Sequence, residues 1–124
     1  MARILIADDS AFVRQRMSAL LKAWGYEIVE AEDGRQAVDL YSREQPDAVL
    51  LDITMPDLDG LQSLDLIMAQ DPHARVAMVS AIGNKETIMK AIKAGAKDFV
   101  VKPFSPENIR AVLNRLGAPA PVQN

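Results

Sequence analysis

Several short apolar runs of this 124-residue chain end in a side chain that can bind a cation, attack an electrophile or pair with a phosphate. The first run ends in the acidic pair Asp8 and Asp9, and a later one ends in Asp52. Two further runs are followed by Ser80 and Lys102. An ionised carboxylate at the edge of an apolar core costs free energy unless something compensates it. Either these acids cap turns, or they are held together for chemistry.

A bound divalent cation would compensate such a cluster. Two carboxylates about 4 Å apart repel by about 4 kcal/mol at an effective dielectric constant near 20. Mg²⁺ binds oxygen, typically through one or two protein carboxylates, and keeps water or phosphate oxygens as its other ligands. The Lys102 ammonium is a point charge suited to a phosphoryl oxygen. A carboxylate in such surroundings is a known nucleophile that forms aspartyl-phosphate, so Asp52 is better explained as a phosphoryl acceptor than as a cap.

Each of these residues alone also has an ordinary structural explanation. Asp9 or Ser10 alone is best explained as the N-cap of a following helix. Asp52 alone would be a turn residue, and Lys102 alone a solvated surface charge. Ser80 alone is equally well explained as a satisfied hydroxyl or as a functional one. Only the expected convergence of the set favours chemistry.

That convergence depends on the elements that carry the residues. Helix-period segments separate five short apolar runs, several of them near-continuous, as in parallel strands covered on both faces. The clearest helix has Ser105 as N-cap, Pro106 as its first residue and Gly117 as its stop. The least regular segment is Asp33–Gln45. The apolar runs are Ile4–Ala7, Ile28–Ala31, Ala48–Leu51, Val76–Val79 and Phe99–Val101.

This alternation predicts an α/β fold with a doubly wound, five-stranded parallel sheet and five helices on its two faces. Such a sheet delivers the carboxyl ends of its strands to one edge, where ligands bind. We expect one domain over residues 1–117 and a short flexible tail over residues 118–124. The first strand is followed by Asp-Asp-Ser and not by a glycine-rich turn, which argues against dinucleotide binding.

Composition narrows the class of protein further. The formal net charge is −3, so the chain carries no electrostatic footprint for nucleic acid. It has no cysteine, which excludes disulfides, thiolate metal sites and cysteine nucleophiles. No run approaches the roughly 20 apolar residues of a membrane span, and the N-terminus does not read as a signal peptide. We therefore expect a cytoplasmic protein that binds neither nucleic acid nor membrane.

Four segments together carry a family resemblance: LIADDS, LLDITMPDLDG, MVSAIG and AIKAGAKDFVVKPF. In this order and spacing, over residues 2–117, they resemble the receiver domain of the bacterial two-component response regulators. Within that family the chain is most similar to the stand-alone chemotaxis regulators. The resemblance implies the flavodoxin-like receiver fold and a bound Mg²⁺.

The resemblance also implies roles for single residues. Asp52 matches the phosphorylated aspartate, Asp9 the acid that binds Mg²⁺ directly, and Asp8 its neighbour, which usually acts through water. Thr54 matches the position whose main-chain carbonyl is a metal ligand. Ser80 matches the switch hydroxyl.

Three further matches lie near the last strand. Lys102 matches the active-site lysine, and Pro103 matches a proline that follows a cis peptide bond in the family. Phe99 matches the aromatic switch position. The stand-alone chemotaxis regulators have Tyr there, and other family members have Phe. Without a hydroxyl, an inward-turned ring would be held by packing alone.

The function implied is a phosphorylation-dependent signalling switch. A histidine kinase would donate the phosphoryl group to Asp52, and a monomeric product would bind a protein target through the surface of the fourth helix, fifth strand and fifth helix. The chain would not be an enzyme, apart from self-phosphorylation by small donors and slow autodephosphorylation. We expect a role in chemotaxis.

Three alternatives to this function remain. One is a phosphorelay intermediate of another two-component pathway. Another is a haloacid-dehalogenase-like phosphatase, but Thr54 stands where such enzymes need a second acid. The last is an inert pseudo-receiver, against which the intact acid cluster with Ser80 and Lys102 argues.

Overall fold

Strands and helices alternate along the whole computed structural model, which describes residues 2–120. The strands are β1 (Arg3–Ala7), β2 (Glu27–Ala31), β3 (Ala48–Leu51), β4 (Val76–Ser80) and β5 (Asp98–Val101). The helices are α1 (Ala11–Ala23), α2 (Gly34–Glu44), α3 (Gly60–Gln70), α4 (Lys85–Lys93) and α5 (Pro106–Leu116). The predicted element order is confirmed.

The sheet has the order β2-β1-β3-β4-β5, and every neighbouring pair is parallel. The register aligns the carboxyl ends of the strands at one edge: Ala7 is opposite both Ala31 and Leu51, and Ser80 is opposite Val101. The doubly wound five-stranded α/β fold predicted from the sequence is therefore confirmed. The residue that follows each strand lies at this common edge.

Helices cover both faces of the sheet because side chains alternate along each strand. Leu5 of β1 joins a buried cluster with residues of α2, α3 and α4, including Leu64 and Ile67. Its neighbours Ile4 and Ile6 face the other way, into a cluster with α1 and α5. Each fully buried aliphatic side chain of this size contributes about 1.5–3 kcal/mol to stability. The two cores hold the strand ends in place.

Local signals set most helix boundaries. Ser105 caps α5 through a capping box with Asn108, and Gly117 ends it in the left-handed region at φ 73°. The least regular predicted segment is a complete helix, α2. The Asp33 side chain caps it by accepting a hydrogen bond from the Gln36 amide.

The chain after α5 bears on the expected domain boundary. The amide of Ala118, the first residue of the predicted tail, donates to the Leu113 carbonyl at 3.2 Å, and Ala118 packs against the α1–α5 core. Residues 121–124 of that tail lie outside the described residues. Within residues 2–120, no helix combines the length and hydropathy that a bilayer crossing requires.

Candidate functional site

Three carboxylates meet where β1 and β3 end. Asp8 and Asp9 follow β1, and Asp52 follows β3 next to it, with the Asp52 amide donating to the Ala7 carbonyl at 2.9 Å. One oxygen from each carboxylate can be chosen so that all three lie within 4.8 Å of one another. Asp8 and Asp52 are buried, and Asp9 is exposed at the rim. The cluster is therefore shielded from solvent at Asp8 and Asp52 and open to solvent at Asp9.

Lys102 lies between the two buried acids. It follows β5, and its Nζ is 2.7 Å from Asp8 Oδ2 and 3.4 Å from Asp52 Oδ2. The sequence alone predicts three carboxylates that repel one another without a cation, and a Lys102 that pairs with a phosphoryl oxygen. In the structure the ammonium already offsets part of the repulsion between Asp8 and Asp52. Strand spacing alone does not show this contact, because it depends on the side-chain direction of Lys102.

Burial shapes the titration of this group. Desolvation, followed by the Asp8 charge, raises the pKa of Asp52 from an ordinary 3.8 to about 6, against opposing effects of Lys102 and of the Thr54 amide. Burial by itself would lower the pKa of Lys102, but its hydrogen bond to Asp8 and the charges of both acids outweigh burial and raise it. At neutral pH Asp52 is therefore an ionised carboxylate in a strongly desolvated place, as an oxygen nucleophile requires.

The turn between β1 and α1 shows that structural and chemical roles coexist. Ser10 Oγ accepts a hydrogen bond from the Val13 amide at 3.3 Å and caps α1. Asp8 Oδ1 accepts one from the Ser10 amide at 2.9 Å. Because Ser10 is the cap, Asp9 is not needed for that purpose, and its carboxylate lies at the exposed rim.

The other predicted residues surround the cluster at different distances along the edge. The Thr54 amide donates to Asp52 Oδ1 at 3.4 Å. Ser80, fully buried at the end of β4, accepts a hydrogen bond from the Ile82 amide at 3.1 Å and ties down the loop that follows. The Lys102–Pro103 peptide bond is cis. These residues frame the acids on the β3, β4 and β5 sides.

Phe99 stands apart from the carboxylates. It pairs with Met78 in the β4–β5 ladder, before the sheet edge, and its partly buried ring packs against the core that includes Ala91 and Ala96. It also lines a groove with Val101 of β5 and residues of α5. Phe99 thus lies at the boundary between this core and the groove formed by β5 and α5.

Sequence reasoning missed two residues at this edge. Arg14 reaches from α1 back to the turn, where its Nη1 donates to the main-chain carbonyl of Asp8 at 2.6 Å. Its position one turn into α1 was an available signal, since helical side chains point towards the N-terminus. Gly60 begins α3 against Asp52, and a Cβ built on it would lie 2.0 Å from the Asp52 carbonyl oxygen.

The donor set fits a hard divalent cation. Asp8, Asp9 and Asp52 offer only carboxylate oxygens, and the exposed side at Asp9 leaves room for water and phosphate oxygens. Mg²⁺ favours such a mixture over a closed cage of protein ligands. The absence of cysteine in the chain and the lack of any histidine in this cluster argue against a softer metal. These three aspartates are the residues that would hold the ion.

Comparison with known families defines the class of protein. A model of the response regulator receiver domain matches residues 4–114 of the chain. The chain therefore belongs to the response regulator receiver domain family, as its four sequence segments predicted. Receiver domains of this kind are signalling proteins of two-component systems.

Several similar proteins are chemotaxis proteins. The chemotaxis protein CheY of Thermotoga maritima is 44% identical over 115 residues, which cover 92% of this chain and 96% of that protein. CheY of Listeria monocytogenes is 47% identical over 116 residues, covering 93% and 98%. A chain in the crystal structure of the CheX-CheY-BeF3-Mg complex from Borrelia burgdorferi matches with a TM-score of 0.91 and 35% identity, covering 95% of this chain and 90% of that one.

Proposed function

We propose that this protein is a single-domain response regulator that accepts a phosphoryl group on Asp52 from a histidine kinase and then binds a protein target. The observation that carries the proposal is the buried Asp52 carboxylate, clustered with Asp8 and Asp9 and contacted by Lys102. The close similarity to chemotaxis proteins over nearly the whole chain supports a role in chemotaxis signalling. A cytoplasmic, monomeric protein without nucleic-acid partners belongs to the same proposal.

The residues divide the work of the transfer. An Asp52 oxygen forms the new bond to phosphorus, and the bond from phosphorus to the donor's imidazole nitrogen breaks. The leaving nitrogen keeps the electron pair. Lys102 reorients towards the new phosphoryl oxygens, whose charge of about −2 attracts it more strongly than a carboxylate does. Asp8, Asp9, Asp52 and the Thr54 carbonyl would hold Mg²⁺, whose positive charge would supply neutralisation of the transferring group.

Phosphorylation would then change the conformation of the residues at the ends of β4 and β5. Ser80, whose Oγ accepts from the Ile82 amide, would donate its hydroxyl to a phosphoryl oxygen, and turning towards that oxygen would move the loop that follows β4. Phe99 would fill the space released beneath that loop. The output surface, made of α4, β5 and α5, carries exposed apolar side chains that suit a protein target: Met89, Ile92 and Val101.

Labelling with acetyl phosphate and Mg²⁺, followed by mass spectrometry, tests the acceptor. We expect one phosphoryl group on the wild type and none on Asp52→Asn, because the amide is a poor nucleophile. Asp9→Asn should be labelled more slowly at equal Mg²⁺. As matched control, Asp57→Asn removes an exposed acid that pairs with Arg35 outside the cluster, and it should be labelled normally. Equal labelling of Asp52→Asn and wild type would contradict the assignment.

A further inference from the structure

Arg14 is a mostly buried arginine that the proposed function does not use. Its side chain is 12% exposed, and it contacts two elements at once. Nη1 donates to the Asp8 carbonyl at 2.6 Å, and Nε lies 3.3 Å from Glu30 Oε1 on β2. Burying a guanidinium is costly unless its donors are used, so these two contacts define where the side chain must lie.

The contact with the Asp8 carbonyl completes the fixation of that residue. The Asp8 amide donates to the Ala31 carbonyl at 3.2 Å. Its Oδ1 accepts from the Ser10 amide at 2.9 Å, and its Oδ2 from Lys102 at 2.7 Å. With Arg14 on the carbonyl, every polar group of Asp8 has a partner.

The carbonyl contact also bears on Asp9. The Asp8 carbonyl and the Asp9 amide belong to one planar peptide unit, so holding the carbonyl sets the orientation of that plane. The plane in turn limits the direction in which the Asp9 side chain leaves the backbone. A single guanidinium thus acts on both members of the acidic pair through the peptide that joins them.

The chemistry of arginine suits this arrangement. The guanidinium is planar and rigid, so Nη1 and Nε can contact the carbonyl and Glu30 simultaneously. A lysine carries one nitrogen on a flexible stem, and it would keep the charge without making both contacts in the same geometry. Glu30 holds the guanidinium through Nε while Nη1 contacts the turn.

We propose that Arg14 is a positioning residue for the cation site, fixing the Asp8–Asp9 peptide so that both carboxylates are preorganised to bind Mg²⁺. The inference rests on the proposed function, which places Mg²⁺ among these acids. Groups that orient metal ligands without touching the metal typically change its affinity by 10- to 100-fold when they are mutated.

Electrostatics and positioning predict opposite signs, and this makes the test sharp. Removing a positive charge near a cation site should by itself tighten Mg²⁺ binding. Loss of positioning should weaken it. We therefore expect Arg14→Met to raise the Kd for Mg²⁺, measured by calorimetry, about tenfold or more. Arg14→Lys should weaken binding nearly as much, although its charge is kept.

Labelling by acetyl phosphate gives a second measurement. The Mg²⁺ concentration for half-maximal rate should rise in parallel with Kd in both Arg14 variants, while the rate at saturating Mg²⁺ is largely retained. The matched control is Arg16→Met, which removes a charge from the exposed face of the same helix, where Arg16 lies over the Phe12 ring. It should leave both quantities unchanged or bind Mg²⁺ slightly more tightly.

A general loss of stability must be separated from loss of positioning. Leu20→Ala removes packing between α1 and its core without touching the turn, and it should lower the melting temperature with unchanged Kd. If Arg14→Met does not fold, Arg14→Lys decides, since it keeps the positive charge, loses the paired contacts and should raise Kd.

Two results would overturn the inference. One is wild-type Mg²⁺ affinity in both Arg14 variants, or in Arg14→Lys if that variant decides. The other is tighter binding in Arg14→Met, which would mean that the guanidinium acts only by charge. A wild type that binds no Mg²⁺ and is not labelled would instead overturn the proposed function, and the inference with it.

Discussion

Asp52 follows the central strand of the sheet, and its carboxylate accepts hydrogen bonds from two donors, Lys102 Nζ and the Thr54 amide, each at 3.4 Å. Neither contact is short, and burial outweighs both, so its pKa is raised to about 6. The residue is thus held in its charged form at neutral pH at the expense of folding stability. On the proposed function, these long hydrogen bonds would keep the Asp52 carboxylate reactive towards phosphorus.

This cost predicts how stability depends on pH. The folded protein keeps the Asp52 proton up to about pH 6, whereas the unfolded chain releases it near 3.8. The free energy of unfolding that the tighter proton binding of folded Asp52 contributes is therefore fully present below pH 3.8. It is lost as pH rises through 6. We expect Asp52→Asn to be about 1 to 3 kcal/mol more stable than wild type at pH 7.5, and to lack this decline.

Urea unfolding at a series of pH values, in chelator, measures the difference. Asp57→Asn, which changes an exposed acid on the same loop, should keep the wild-type decline between pH 4 and 6. Parallel stability curves for wild type and Asp52→Asn across that range would show that burial does not perturb Asp52.

Among single residues, the sequence predicted the carboxylate cluster but not the contacts of the long side chains around it. The convergence of Asp8, Asp9 and Asp52 follows from strand ends alone, because parallel strands share one edge. The ion pair between Lys102 and Asp8 and the hydrogen bond from Arg14 to the Asp8 carbonyl cannot be predicted from the strand ends. Both depend on the rotamers of long side chains. The roles assigned to Thr54, Ser80 and Phe99 remain predictions.

Helix α3 meets the site through a residue that has no side chain. Its first residue, Gly60, donates its amide to the Ile53 carbonyl at 2.7 Å and lies against the Asp52 main chain. A Cβ there would lie 2.6 Å from the Ile53 Cα. Since backbone cannot rotate away as a side chain can, α3 and the loop after β3 would have to separate.

We therefore expect Gly60→Ala to lose about 1 to 3 kcal/mol of stability and to slow labelling of Asp52 by acetyl phosphate. The control is Asp59→Ala, which removes the neighbouring N-cap and its bond to the Gln62 amide at a cost of about 1 kcal/mol. That variant adds no atom near Asp52 and should be labelled at the wild-type rate. Normal labelling of Gly60→Ala would show that the loop accommodates the methyl group.

Elements were more predictable than contacts. Gly117 ends α5, as its position in the sequence predicted. The segment that becomes α2 looked irregular because its apolar stripe is short. Its start depends on Asp33, whose capping role is apparent only once the strand before it is placed.

At the scale of the whole molecule, the two ends of α1 lie far apart and have different surroundings. Ser10 caps the end beside the acids, and Trp24 caps the other, where its ring lies 4.2 Å beneath the Arg110 guanidinium. Over 13 residues a helix extends about 20 Å. The only tryptophan of the chain is therefore a reporter of global folding and not of the site.

Mg²⁺ binding should therefore change the melting temperature but not the Trp24 fluorescence. Binding to the native cluster and not to the unfolded chain should stabilise the protein by about 2.7 kcal/mol at a hundredfold excess over Kd, with a raised melting temperature. Trp24 fluorescence below the transition should barely change. Asp9→Asn should show a smaller thermal shift at the same concentration. Strong quenching of Trp24 by Mg²⁺ in the native state would contradict the separation of the two ends.

The strand order also has a consequence for synthesis. Asp8 and Lys102, in direct contact in the folded protein, are 94 residues apart in the chain. At translation rates of about 5–20 residues per second, the ribosome adds Lys102 roughly 3–10 seconds after Asp52. During that interval Asp52 lacks the lysine and the completed sheet edge that surround it in the folded protein. On the proposed function, chains truncated before Lys102 are therefore expected not to be labelled by acetyl phosphate.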